Sequence, residues 1–146
     1  MVFKRIILPI NKSDESLKTA KKAIHLAEKL NIHLTAIYVL NTKIYAGTIP
    51  PNQMYAYRFY EDIKNEHKEN AHKFLNKIEK VGHEKNIDVQ TILTEGSLDK
   101  EILKEAEKND LIVMRGNNTS KIDRIFSRNM SDKILHSAPS NVMIIR

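Results

Sequence analysis

The feature that most constrains this chain is its alternation of short apolar runs with stretches of helical period. Phe3 to Ile10 is nearly continuously apolar after Lys4-Arg5 and closes at Pro9 and Asn11, which reads as a buried strand. Ser13 and Asp14 follow, both good N-cap residues, and Leu17, Ala20, Ile24 and Ala27 then recur at helical spacing. Ile32 to Leu40 is rich in Ile, Thr, Tyr and Val and predicts a second strand. Residues 41–58, with Gly47 and Pro50-Pro51, lack a clear period and read as a long loop with room for some helix. The spacing Phe59, Ile63, His67, Ala71, Phe74, Ile78, Val81 predicts a long helix ending near Gly82 or running on to Lys85. Ile87 to Thr94 is a third strand. Gly96-Ser97 opens a helix with Leu98, Ile102, Leu103 and Ala106 as its buried stripe. Leu111 to Met114 is a fourth strand. A helix of about ten residues runs through Met130, Ile134 and Leu135 to Pro139, and Val142 to Ile145 is a last strand.

Strands that alternate with helices imply a parallel sheet covered on both faces, and right-handed crossovers leave few windings. We expect a single α/β domain over 1–146. No apolar run approaches the roughly 18 residues of a membrane helix. The charges of the first residues lie inside an apolar run rather than before it, unlike a signal peptide, so the expected location is cytoplasmic, with no membrane partner. The chain has no cysteine, which excludes disulfides, thiol nucleophiles and thiolate metal sites.

The net charge is +6. Arg115, Lys121, Arg124, Arg128 and Lys133 face only Asp123 and Asp132 in their stretch, so half of that excess sits there. The stretch follows the fourth strand and leads into a helix, the layout of many phosphate sites. Solvated lysines account for much of the remaining charge.

Five pieces together resemble the universal stress protein family over nearly the whole chain. They are Ile7-Leu-Pro-Ile-Asn-Lys-Ser13, Val39 at the end of the second strand, Gly96, Asp110-Leu-Ile-Val-Met114, and Asp132-Lys-Ile-Leu-His-Ser-Ala-Pro139 followed by Val142-Met-Ile-Ile145. The resemblance implies a three-layer α/β/α, Rossmann-like fold of the adenine nucleotide alpha hydrolase type. Its five-stranded parallel sheet would have the order 3-2-1-4-5. Ligands of such sheets sit beyond the carboxyl ends of the strands where the winding reverses. Here that places Pro9, Asn11, Met114 and the loop after it at the crevice, and the resemblance adds Val39 and Met130.

ATP-binding members of the family carry Gly, two residues, Gly, nine residues, then Gly and Ser or Thr. Aligned on Met114, those positions are Arg115, Asn118, Arg128 and Asn129, with Gly116 one place late for the first glycine. The family's first-turn Asp is Asn11. Glycines allow positive φ and let backbone N–H groups approach phosphate; an arginine in a left-handed conformation costs roughly 1–2 kcal/mol. Asn118 tolerates that region better, and Gly116 is expected to help the turn. Arginine is also a bidentate phosphate ligand. The loop therefore stays open to three readings: Mg-ATP, another anionic small molecule or a nucleotide in an altered pose, and no ligand.

The six histidines show no helical metal pair, and no metal site is expected. His67, on the apolar stripe, reads as partly buried or at an interface. Tyr55, Tyr57, Phe59 and Tyr60 read as packing rather than base-stacking residues. Val142, Met143, Ile144 and Ile145 would leave an apolar sheet edge, and the resemblance implies a homodimer through it. The expected function is a non-enzymatic, homodimeric stress-response regulator with weak or no ATP binding, and no cofactor is required. The alternatives are an ATP-binding switch with slow hydrolysis, using ATP and magnesium, and a nucleic-acid binder built on residues 115–133.

Overall fold

The computed structural model describes residues 2–11, 13–41, 54–116 and 128–146, with backbone alone for 54–57 and 128–129. The elements run β1 (Arg5–Ile10), α1 (Asp14–Leu30), β2 (His33–Leu40), α2 (Met54–Glu84), β3 (Val89–Glu95), α3 (Leu98–Glu105), β4 (Asp110–Arg115), α4 (Arg128–Ser137) and β5 (Asn141–Ile145). All neighbouring strands are parallel and their order is β3-β2-β1-β4-β5, as expected.

The alternating side chains of each strand divide the core into two. Ile6, Leu8, Ile10, Leu34, Ala36, Leu111 and Val113 face α1 and α2, meeting Ala20, Ala23, Ile24, Ala27, Leu75 and Ile78. Ile7, Ile37, Val39, Ile112 and Met114 face α3 and α4, meeting Leu98, Ile102, Ala106 and Ile134. Two helical layers therefore enclose the sheet. The central strands are apolar on both faces because both faces are covered.

Local chemistry fixes several element ends. Ser13 caps α1, its Oγ accepting from the Ser16 N–H, and Asn31 closes that helix in the left-handed region at φ 54°. Gly96 carries φ +140° between β3 and α3, and its N–H donates to the Leu40 carbonyl at 2.9 Å. Gly82 lies where α2 crosses β3: a Cβ there would stand 2.2 Å from Val89 Cγ2.

Three expectations need correction. First, the long helix starts at Met54 rather than Phe59 and takes in residues 54–58, the end of the stretch read as a loop with room for some helix, while 42–53 lie outside the described residues. Its buried stripe is Ala71, Leu75, Ile78 and Gly82, which admits Leu75, whereas Phe59 is 63% exposed and His67 is exposed. Among the described side chains of α2, the buried apolar ones begin at Ala71, so the apolar spacing at Phe59 and His67 does not mark a buried face. Second, Arg115 is the last residue of β4, paired in register with Ile145, rather than the first residue of a loop. It lies outside the left-handed region, which among described non-glycine residues holds Asn31 and Asn86. The strain assigned to an arginine at this position does not arise. Third, Gly116 does not rescue a left-handed turn. Its N–H continues the ladder to the Ile145 carbonyl, and an added Cβ would meet Ile144 Cγ2 and Arg146 Cγ at 3.2 Å.

Candidate functional site

The crevice forms because β1 and β4 part company. Their pairing runs from Arg5↔Asp110 to Ile7↔Ile112 and ends there. Beyond it β1 continues against β2 as far as Ile10↔Tyr38, and β4 continues against β5 as far as Arg115↔Ile145. Pro9, which has no N–H to donate, sits just past the last β1–β4 pair, which explains a proline in a central strand. The opening lies at the carboxyl end of the strands, where the winding reverses.

Asn11 follows β1 and is buried, and it organises the start of α1. Its Oδ1 accepts from the hydroxyls of Ser13, at 2.7 Å, and Ser16. Its own N–H donates to Ser16 Oγ at 3.1 Å, and the Ser16 N–H donates to Ser13 Oγ at 3.0 Å. The side-chain oxygen that would face a ligand is thus committed to the turn.

Arg115 approaches from the other side of the opening. Its side chain is only 8% exposed, and Nη1 donates to Glu15 Oε2 in the first turn of α1. Glu15 is 44% exposed. The ion pair ties the carboxyl end of β4 to the amino end of α1, across the end of β1. A buried guanidinium needs an anion, and here the protein supplies one.

The other expected site residues are distributed as follows. Val39 and Met114 are buried in the core with residues of α3 and α4. Met130 packs half-buried against the same core. Arg128 and Asn129 begin α4, with side chains outside the description, and Asn118 lies outside the described residues. Ser131 is buried in α4, and its Oγ has no hydrogen-bond partner among the described residues. Sequence reasoning missed Glu15, Ser13 and Ser16 as parts of this site. The sequence held no local signal for Glu15, which lies 100 residues from Arg115 in the chain.

At the end of β4 the Arg115 side chain is paired with the Glu15 carboxylate, and the Asn11 side-chain oxygen is already used by the turn, while residues 117–127, where the expected loop falls, lie outside the described residues. Among the described residues no group of three His, Asp or Glu could hold a metal ion, and no helix is long and apolar enough to cross a membrane.

Among the described residues, two further charge clusters sit at the ends of strands. Arg5 grips Asp110 with Nε and Nη2 at 3.0 and 2.7 Å, and its Nη1 reaches Glu105 at 3.0 Å. Burial pushes the Asp110 carboxyl up, but Arg5 and the Glu107 N–H together hold it below its ordinary value. At the end of β3, Lys68 and then Lys64 hold Glu95 low, at 3.0 and 3.2 Å. An open groove of about 670 Å³ between Asn76, Lys80, His83 and Asp88 lies at the amino end of β3, away from the crevice.

A five-stranded parallel sheet of this order, whose winding reverses between β1 and β4, defines a doubly wound, Rossmann-like α/β protein. The universal stress protein family matches residues 2–146, and the chain belongs to that family. It is 30% identical to universal stress protein MJ0531 of Methanocaldococcus jannaschii over 99% of this chain and 83% of that protein. It is similar in fold to universal stress protein UspA from Lactobacillus plantarum, with a TM-score of 0.79 at 19% identity, covering 99% and 98% of the two chains. Two more distant likenesses are a universal stress protein in complex with cAMP (TM-score 0.66, 16% identity, 99% and 97% covered) and one from Archaeoglobus fulgidus in complex with dAMP (TM-score 0.64, 13% identity, each chain covered in full).

Proposed function

We propose that this universal stress protein is a non-enzymatic, homodimeric regulatory module whose crevice does not take Mg-ATP by the glycine-loop route. The observation that carries this reading is the buried Arg115 side chain paired with a half-exposed Glu15, at the position where the family's first glycine would leave room for phosphate. A backbone cradle works only if amides can approach the ligand without side chains in the way. Dimerisation would use β5, an edge strand on which Met143 and Ile144 are 38% and 39% exposed. Unpaired apolar edges favour a second strand.

The test is calorimetry with ATP, ADP and AMP, with and without magnesium, on the wild type and on R115G/R128G. The expected result is weak or no Mg-ATP binding by the wild type and a gain in the variant. Tight wild-type binding that the variant does not improve overturns the reading.

A second reading is favoured by the ligands named for two structural relatives, cAMP and dAMP, each of which carries a single phosphate. A monophosphate needs no triphosphate cradle, and one guanidinium satisfies much of its charge. AMP binding without ATP binding in the same calorimetry selects this reading. A nucleic-acid role is less well supported, because Arg115 is turned inward to Glu15 and leaves the basic stretch one surface cation short.

A further inference from the structure

We propose that Glu15 is a built-in competitor for anions at the crevice and so determines which ligands it admits; the inference rests on the reading of this crevice as the ligand site. The two halves of the pair are unequal. Arg115 is almost wholly enclosed, while Glu15 is nearly half in solvent. Arg115 is also held in a rigid frame: its strand pairs with β5 to the last residue, and Gly116 continues the ladder. An enclosed guanidinium must keep a counter-anion at all times. The exposed carboxylate rehydrates when it turns outward, so the cost of opening the pair falls on Arg115 and is offset only when another anion takes the place of Glu15.

The exchangeable member is therefore Glu15. A small phosphate-bearing molecule entering the crevice can replace it as the partner of Arg115. It would also lie near the amino end of α1, where the helix carries partial positive charge. The Asn11–Ser13–Ser16 hydrogen bonds keep that helix start in place while the carboxylate moves. Glu15 then acts as a threshold. Weak or dilute anions leave the pair closed, and a ligand that outcompetes a tethered carboxylate opens it.

The experiment compares wild type, E15Q and E15D by calorimetry with inorganic phosphate and with AMP, and by thermal melts in the same two ligands. E15Q should bind at least one of them about tenfold more tightly than wild type, as loss of a competing charge allows. Its melting temperature should rise more on addition of that ligand. E15D, which keeps the charge, should behave as wild type. AMP favoured over phosphate identifies a nucleotide, and equal gains identify the free anion; both support the competitor. If E15Q binds both ligands no better than wild type and gains no more in the melts, the proposal is overturned. Tight Mg-ATP binding by the wild type would contradict the proposed function instead, so the two failures are distinguishable.

Discussion

Asp110 shows how a single buried carboxylate ties the amino end of the sheet together. It receives Arg5 twice and the Glu107 N–H at 2.8 Å, with no exposure of its own. Replacing Asp110 by Asn should destabilise the fold by about 3 kcal/mol at neutral pH, because Arg5 keeps its charge and loses a bidentate partner. Urea unfolding measures this. The carboxyl is held below its ordinary value in the folded state, so its contribution is present above the unfolded value of roughly 3.9 and is lost as pH falls through the lower folded value. The gap between wild type and D110N should thus narrow below about pH 4. Gly82→Ala should cost about 1–3 kcal/mol, since the new methyl would overlap Val89 and neither helix nor strand can retreat freely. The sequence placed Gly82 near a helix end but did not reveal this contact, because close approach between elements leaves no local pattern. The Arg115–Glu15 pair was hidden for the same reason: its members are 100 residues apart in the chain.

At the scale of elements, the central strands were legible because burial on both faces demands uninterrupted apolar residues, as in Ile6-Ile7-Leu8 and Leu111-Ile112-Val113. The start of α2 was not. Its first turn has no acidic residue, and Phe59, the first residue of the expected stripe, is 63% exposed. The end of β4 was misread because a charged residue after an apolar run resembles the start of a loop. Only the ladder to β5 and the internal carboxylate make Arg115 a strand residue. On β5 itself, Met143→Glu should place a charge on the sheet edge and shift the protein from dimer to monomer in sedimentation. A wild type that sediments as a monomer contradicts the edge reading, and a variant that stays dimeric moves the interface elsewhere.

Over the whole molecule, the order β3-β2-β1-β4-β5 puts the winding reversal between β1 and β4, and the end of their pairing at Ile7↔Ile112 opens the crevice. The strand order and the place of the reversal followed from the alternation of elements and from the family resemblance, whereas the register at which β1 and β4 separate did not. What fills the opening did not follow, because family position said only that glycine was missing, and not that an arginine would turn inward to a glutamate. The most direct measurement is a crystal structure grown with excess ATP and magnesium. The account predicts the Arg115–Glu15 contact intact and no triphosphate against the end of β4. A triphosphate seated on the backbone of residues 115–116, with Arg115 swung away from Glu15, would contradict it.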